Sequence, residues 1–395
     1  MRAHNLLSKS QHGFIPGKSC VTLLAEVLDD WYVSLNNKKV TQVDVVTLDW
    51  CKAFDRVPHP RLIDKLYCAY IRGNVQAWVR SLLSGRSQNI VYKGTESKSV
   101  PVTSGVIQGS VIGPLLFTIY MLDLPNCVSS PLAQYADDST LYREITSHED
   151  SVKLQADMTS IDVWCSLNDM QLNTEKCALT RVTRSPSPIK TTYIIDGDHI
   201  PHVQSFKLLG VQISTDLRWN LQAEYVRCKA MRSLGMIARS FVGRGRSAIR
   251  LLYLTLARSL MVYGTPAWHP TTLANLTKLE SVQAKATRMI LGVKKTNCQS
   301  RAQRLLSCKL PSVPELLDRI DLKFLTKCLL GVCIFPLFSP NRISIRSRRE
   351  GLRGGESLLC HPRGYSTAYL DSLIPRCVRA FNALPLTDRS KLLTL

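Results

Sequence analysis

The stretch that decides the fold is Gln134-Tyr-Ala-Asp-Asp-Ser-Thr-Leu-Tyr142. Its flanks alternate apolar and polar residues, which predicts two short strands around a tight turn at Asp137-Asp138. Aspartate is a common turn residue, so a plain hairpin explains the pair equally well. The other interpretation is chemical, because paired carboxylates at a hairpin tip are suited to hold a hard divalent ion.

A second carboxylate position lies upstream, where Val40–Trp50 is rich in valine and predicts a buried strand ending at Asp49. Carboxylates at strand ends in different parts of a chain can fold onto one spot. Two divalent ions held there could clamp the attacking and leaving oxygens of a phosphoryl displacement. We therefore expect Asp49, Asp137 and Asp138 to converge on one cation site.

Further motifs surround these residues in a fixed order. They are Val46-Thr-Leu-Asp-Trp-Cys-Lys-Ala-Phe-Asp-Arg-Val-Pro-His59, Ser104-Gly-Val-Ile-Gln-Gly-Ser-Val-Ile-Gly-Pro-Leu-Leu-Phe117, Leu172-Asn-Thr-Glu-Lys-Cys177 and Phe206-Lys-Leu-Leu-Gly-Val-Gln-Ile213. With the 134–142 stretch, they closely resemble the reverse-transcriptase motifs of LINE-type (non-LTR) retrotransposons, most like the jockey group. The turn-rich loop Gln11–Cys20 is similar to a segment that precedes these motifs in that family.

The resemblance implies an α/β (α+β) right-hand polymerase, with a palm of antiparallel sheet backed by helices. Residues 1–40 would be a remnant of the fingers, and residues 41–215 the palm. The palm would include a finger-side insertion at about 60–105 and a primer-grip hairpin at 206–213. Residues 216–395 would form an all-α basic thumb and a C-terminal nucleic-acid-binding region. Helical periodicity in that part supports this, over Leu221–Phe241, Ala248–Tyr263, Leu273–Leu291 and Val313–Leu330.

The resemblance also assigns catalytic roles. Asp49, Asp137 and Asp138 match the residues that hold two Mg²⁺ ions, for which Mn²⁺ could substitute. Lys176 matches a lysine proposed to protonate pyrophosphate, although a solvated lysine is the simpler interpretation at that position. The implied reaction joins a dNTP to a DNA primer on an RNA template.

Three further positions match the family's nucleotide-binding segment. Phe54 lies five residues after Asp49, where the family places a bulky residue against the ribose 2′-OH. An ordinary core aromatic is the alternative. Gln108 and Gly109 match the segment beside the incoming nucleotide and template, and the glycine would let backbone approach the substrate closely.

Charge is divided unevenly along the chain. The whole chain has 51 Lys+Arg and 30 Asp+Glu, and the first 200 residues hold 20 of each. The entire excess of +21 therefore lies in the second half, which favours a polyanionic partner such as RNA. The candidates for phosphate contacts in that half are Arg244, Arg246, Arg346, Arg348 and Arg349. Such contacts would be electrostatic and would not depend on the RNA sequence.

Composition and motif spacing exclude several classes. The longest apolar runs, Val111–Leu122 and Cys328–Phe338, fall short of the roughly 18 residues that cross a bilayer. Neither a secretory leader nor a CxxC pair is present, so we expect reduced cysteines and a cytoplasmic or nuclear protein. A P-loop fails because three residues, rather than four, separate Gly13 from Gly17.

Two departures from the family bear on activity. The chain begins after the basic fingers segment that would hold the triphosphate, and it lacks the family's upstream endonuclease domain. Ile107 and Cys177 are milder departures, at positions where the family usually has proline and threonine. We therefore expect a poor or inactive polymerase. The alternative function is a non-catalytic RNA-binding remnant of a retroelement.

Overall fold

The structure is a computed structural model that describes residues 8–293, 299–337, 342–346, 358–361, 363–364, 366–385 and 389. The chain divides into two compact units. Residues 1–23 and 39–204 form the first unit, and residues 24–38 and 205–395 form the second. A single helix, Cys20–Asn36, contributes residues to both.

The first unit mixes helices with antiparallel strands. Its helices, counting the shared one, are α1 (Cys20–Asn36), α2 (Ala53–Arg56), α3 (His59–Cys68), α4 (Asn74–Leu83), α5 (Gly113–Tyr120) and α6 (His148–Leu167). Its strands are β1 (Gln42–Leu48), β2 (Ser87–Gln88), β3 (Val91–Tyr92), β4 (Thr95–Glu96), β5 (Val100–Pro101), β6 (Leu132–Tyr135), β7 (Asp138–Ile145), β8 (Ala178–Thr183), β9 (Ile194–Ile195) and β10 (Asp198–His199).

The centre of this unit is a four-stranded antiparallel sheet in the order β6-β7-β1-β8. Strand β1 lies inside the sheet and is almost wholly buried, which explains its valine-rich sequence. Its register with β7 runs from Gln42 opposite Ile145 to Leu48 opposite Ser139. The predicted strand is thus confirmed, and Asp49 is the first residue beyond its end.

A buried polar cluster fastens the sheet to the segment that follows β8. The carboxylate of Asp44, on β1, accepts hydrogen bonds from the Tyr193 hydroxyl at 2.7 Å and from Gln42 Nε2 at 2.8 Å. The guanidinium of Arg181, on β8, donates to the same carboxylate at 3.3 Å. Burial raises the pKa of Asp44, and these donors act against that shift. The cluster satisfies a charge that would otherwise be stranded inside the sheet.

We expect Asp44→Ala to destabilise the protein by about 3–5 kcal/mol, because it leaves the buried Arg181 guanidinium without its carboxylate. Urea denaturation followed by circular dichroism measures the change. Asp64→Ala, at an exposed position on α3, is the control and should change stability by less than about 0.5 kcal/mol. Equal effects at the two positions would contradict a structural role for the cluster.

After its share of α1, the second unit has a hairpin and continues mainly as helices. The strands are β11 (Ser205–Leu208), β12 (Val211–Ser214), β13 (Ser344–Arg346) and β14 (Leu358–Cys360). The helices are α7 (Asn220–Ser240), α8 (Arg246–Leu252), α9 (Ser259–Val262), α10 (Thr265–Trp268), α11 (Leu273–Leu291), α12 (Arg301–Ser307), α13 (Val313–Leu329), α14 (Thr367–Leu370) and α15 (Leu373–Asn382).

One feature of this unit differs from its sequence prediction, and another agrees with it. The continuous helix expected over Ala248–Tyr263 is interrupted by a π-helical stretch, Tyr253–Arg258, between α8 and α9. The strand pair expected at 206–213 is present as β11 and β12, joined by a turn at Leu209-Gly210 in which both residues have positive φ. In the described part of the chain, no helix is long and apolar enough to cross a membrane.

Candidate active site

Asp49 is held by the loop that precedes β8. Its backbone carbonyl accepts a hydrogen bond from the Asn173 amide at 2.7 Å, and its own amide points at Cys177 Sγ at 3.5 Å. The neighbouring Trp50 pairs with Leu172 in an isolated antiparallel bridge. The loop before β8 therefore fixes the backbone at the end of β1, while the Asp49 side chain stays 43% exposed.

Asp137 and Asp138 lie where β6 turns into β7. Tyr135 pairs with Asp138, so the turn consists of Ala136 and Asp137. The turn is thus one residue earlier than predicted, and Asp138 is the first residue of β7 rather than a turn residue. Ala136 has a φ of 57°, a left-handed conformation that costs a residue with a Cβ about 1–2 kcal/mol.

Sheet register brings the two carboxylate positions together. Leu48 on β1 faces Ser139 on β7, and the next positions along the ladder are Asp49 and Asp138. Although Asp138 is exposed, partial desolvation of its carboxylate raises its pKa, and the negative charges of Asp137 and Asp49 raise it further. The three carboxylates thus repel one another at one end of the sheet, which is the electrostatic condition that a bound cation relieves.

The side chains do not form a finished ligand set. Within the described residues, no group of three or more His, Cys, Asp or Glu side chains is arranged to hold a metal ion. Instead, Lys176 Nζ lies 3.6 Å from Asp49 Oδ2, with the lysine side chain 67% exposed. Such an exposed pair contributes little to stability, so the Asp49 carboxylate can exchange this partner for another cation.

At least one face of the Phe54 ring packs in the core. Its ring stacks on that of Phe117, with centroids 4.4 Å apart and planes 17° from parallel. It packs against the main apolar cluster of the unit and is only partly buried. A role against the ribose stays a prediction, because a partly exposed ring is compatible with both interpretations.

The segment that holds Gln108 and Gly109 packs on the turn after β1. Gln108 Nε2 donates to Asp55 Oδ1 at 2.9 Å, and the Ser104 hydroxyl donates to the Asp55 carbonyl at 2.9 Å. Gly105 has no room for a side chain, since a Cβ would lie 2.7 Å from that same carbonyl oxygen. Gly109 is exposed, with a φ of 80° and open space around it.

The residues that close the hairpin tip have no role that could be predicted from the sequence. Gln11 is 2% exposed, and its side-chain Oε1 accepts a hydrogen bond from the Ala136 amide at 2.8 Å. Gly13 lies so close that a Cβ there would be 2.4 Å from the Ala136 nitrogen. The only sequence signal was the turn-rich loop itself, which gave no indication of what it contacts.

The basic candidates belong to the second unit. Arg244 and Arg246 are exposed, in the connection between α7 and α8 and at the first residue of α8. Arg346 is the last residue of β13, and its side chain is not among those that the structure describes. Arg348 and Arg349 also lie outside them.

Helices together with an antiparallel sheet, which carries carboxylates at the end of β1 and on the adjoining hairpin, are consistent with a right-hand polymerase fold. The family model that matches this chain, over residues 1–213, is that of the reverse transcriptases (RNA-dependent DNA polymerases). The chain belongs to this family. The resemblance found in the motifs is thereby confirmed.

Curated relatives come from insect retroelements. The probable RNA-directed DNA polymerase from transposon BS of Drosophila melanogaster is 26% identical over 309 residues, which are 73% of this chain and 33% of the relative. The RNA-directed DNA polymerase from mobile element jockey of the same species is 27% identical over 296 residues, 71% of this chain and 31% of the relative. The chain thus spans about a third of the length of these relatives.

Solved structures with partial similarity include telomerases. Apo telomerase from Candida tropicalis has a TM-score of 0.43 and 10% identity, covering 82% of this chain and 55% of that one. Telomerase from Candida albicans, in complex with a fragment of telomeric RNA, has a TM-score of 0.38 and 13% identity, covering 80% and 53%. Both scores are below 0.5, so the family assignment depends on the sequence match alone.

Proposed function

We propose that this chain is the polymerase part of a non-LTR retrotransposon protein and that it extends a DNA primer on an RNA template. The observation that carries the proposal is the register of β1 and β7, which ends at Leu48 opposite Ser139, directly next to Asp49 and Asp138 in the chain. The raised pKa of Asp138 supports it, because the charges of Asp137 and Asp49 contribute to that shift.

The donor set suits Mg²⁺. All three candidate ligands are carboxylates, the hard oxygen donors that Mg²⁺ prefers, and Asp137 and Asp138 are exposed while Asp49 is half-exposed. We propose that Asp49, Asp137 and Asp138 would hold two ions, with Mn²⁺ as a substitute. Mg²⁺ in such a site supplies positive charge to the phosphoryl group and to the attacking and leaving oxygens.

In the proposed reaction, the primer 3′-oxygen bonds to the α-phosphorus of a dNTP. The bond from that phosphorus to the bridging oxygen breaks, pyrophosphate leaves, and the hydroxyl proton passes to solvent. Lys176 is suited to donate a proton to the departing pyrophosphate, since its ammonium already lies at this end of the sheet, 3.6 Å from Asp49 Oδ2. The lysine then recovers its proton from water.

Nucleotide selection is the role we propose for the segment around Phe54. The stacking on Phe117 fixes the ring plane, so the exposed edge can limit the space beside a bound sugar. Gln108 is tied to Asp55, one residue after Phe54. Gly109 leaves an open backbone surface next to it, which a nucleotide or template base can approach.

Replacing this ring tests the selection role. We expect Phe54→Val to raise the ratio of ribonucleotide to deoxyribonucleotide incorporation by about tenfold or more, since a lost steric exclusion is worth about 1–3 kcal/mol. Single-nucleotide primer extension measures the ratio. Phe54→Tyr, which keeps the bulk, should leave it unchanged. If the ratio does not change in Phe54→Val, the ring belongs to the core alone.

A second candidate function is RNA binding without catalysis, which the excess of basic residues in the second half favours. Primer extension distinguishes the two. The purified chain is incubated with an RNA template, an annealed DNA primer and dNTPs, with Mg²⁺ or with EDTA. We expect slow extension with Mg²⁺ and none with EDTA. RNA binding in a gel-shift assay without any extension would instead establish the non-catalytic function.

A further inference from the structure

Gln11 contacts the hairpin of Asp137 and Asp138 through its whole amide. Its Oε1 accepts hydrogen bonds from two backbone amides, that of Ala136 at 2.8 Å and that of Gly13 at 2.7 Å. Its Nε2 donates to the Ala136 carbonyl at 3.3 Å. Both peptide groups of the turn residue are therefore bound by a single buried side chain.

Backbone hydrogen bonds between this loop and β6 add to those made by the Gln11 side-chain amide. The Gln134 amide donates to the Ser10 carbonyl at 2.9 Å, and the His12 amide donates to the Gln134 carbonyl at 2.7 Å. Strand β6 is the outer strand of the sheet on this side, so the loop supplies the partners that its free edge would lack. The loop and the hairpin thus form one hydrogen-bonded piece.

The loop is itself anchored to the first turn of α1. His12 Nδ1 lies 3.0 Å from Thr22 Oγ1, and that hydroxyl also accepts from the Ser19 amide at 2.8 Å. Lys18 Nζ donates to the Gln11 carbonyl at 3.0 Å. Because these hydrogen bonds hold the loop in place, the Gln11 side chain can fix the position of the turn instead of moving with it.

The turn needs such support. Ala136 has the left-handed φ of 57° that residues with a Cβ seldom adopt, and such conformations persist where the surroundings fix them. Gly13 presses against the same peptide, at a distance that admits no side chain. The orientation of the Ala136 peptide decides where the next two residues, Asp137 and Asp138, project.

We propose that Gln11 is a positioning residue for the metal-ligand hairpin: its amide fixes the Ala136 peptide and thereby the placement of Asp137 and Asp138. The inference rests on the proposed function, because it assigns the hairpin its metal ligands. Gln11 itself touches neither substrate nor ion. We expect it to affect metal binding as other residues do that orient a metal ligand without contacting the metal.

The test variant is Gln11→Met, which keeps the length of the side chain and removes the amide. Gln155→Met is the matched control. Gln155 on α6 also clamps one residue through both amide atoms, donating to the Ile194 carbonyl and accepting from the Ile194 amide, each at 2.9 Å. It has no contact with the hairpin among the hydrogen bonds of the described residues.

Two measurements are made on the full chain. Hydrogen–deuterium exchange of residues 134–138 reports the hairpin backbone, and electron paramagnetic resonance titration with Mn²⁺ reports metal affinity. We expect Gln11→Met to speed exchange at the hairpin and to weaken Mn²⁺ binding by about tenfold, in the range seen when orienting groups are removed. Gln155→Met should leave both unchanged.

Unchanged hairpin exchange in Gln11→Met would overturn the inference, as would faster exchange with Mn²⁺ affinity within twofold of the wild type. Should Gln11→Met not fold, Gly13→Ala replaces it, because the added Cβ, 2.4 Å from the Ala136 nitrogen, displaces the same peptide without removing the Gln11 side chain. A wild-type chain that binds no Mn²⁺ is a separate outcome: it refutes the proposed metal site, and the positioning role falls with it even if the exchange data show a clamp.

Discussion

Asp138→Asn is expected to lower Mg²⁺-dependent primer extension by about a thousandfold or more. The substitution removes one of the three carboxylates proposed to hold the ions that stabilise the transferred phosphoryl group. Folding should be unaffected or slightly favoured, because the charges of Asp137 and Asp49 already oppose ionisation of Asp138. Single-turnover extension measures activity, and urea denaturation measures stability on the same samples.

Asp64→Asn is the matched control, since it removes the same charge from an exposed position on α3. It should leave both activity and stability unchanged. A loss of activity in Asp138→Asn that simply follows a loss of folded protein would mean a structural role. Full activity in a folded Asp138→Asn would contradict the metal-site assignment.

Affinity for single-stranded RNA is expected to fall by about 300-fold between 50 and 200 mM salt. This estimate takes about six neutralised phosphates and a logarithmic slope of about −0.7 for each on a single strand. The charge excess of the second half supports it. Fluorescence anisotropy at several salt concentrations, with RNAs of unrelated sequence, measures the slope and the expected lack of sequence preference.

Two exposed arginines locate the contact. The double variant Arg244→Gln, Arg246→Gln should make the slope shallower by about 1.4, the contribution of two phosphates on a single strand. The control is Arg72→Gln, Arg80→Gln, which removes two exposed arginines from the charge-balanced first half. An equal effect in both double variants would contradict an RNA-binding surface in the second unit.

The main elements could be predicted because local pattern and burial agree in them. Strand β1 is valine-rich and lies inside the sheet, so its sequence reports its position directly. Helix α11 has the predicted bounds, Leu273–Leu291, since its apolar residues follow helical spacing and Leu279 and Val282 are buried. The placement of Asp49 at a strand end, and of Asp137 and Asp138 on a hairpin, could also be predicted, because a strand end and a hairpin are local features.

Long-range hydrogen bonds could not be predicted in this way. Gln11 and Ala136 are 125 residues apart, and nothing in either neighbourhood indicates the other. The same holds for Asp44 and Tyr193, whose contact spans 149 residues. The turn was placed one residue late because aspartate is the usual turn former, whereas here alanine adopts the left-handed conformation and is stabilised by a distant side chain.

Helix α1 has a consequence for how the chain reaches its folded state. Residues 24–38 count with the second unit, and among them Leu24, Leu28 and Trp31 are almost completely buried. Trp31 lies 6.3 Å from Phe206, ring centre to ring centre. At a translation rate of roughly 5–20 residues per second, Phe206 is made about 10–35 seconds after Trp31.

During that interval the apolar residues of α1 lack the partners that bury them, so they are a site for chaperone binding or for aggregation. The same arrangement affects dissection by expression of fragments. A piece that starts at residue 205 omits Leu28 and Trp31 and opens a cavity where they belong. A rearranged chain in which a copy of residues 24–38 directly precedes residue 205 would shorten the delay and supply the missing helix.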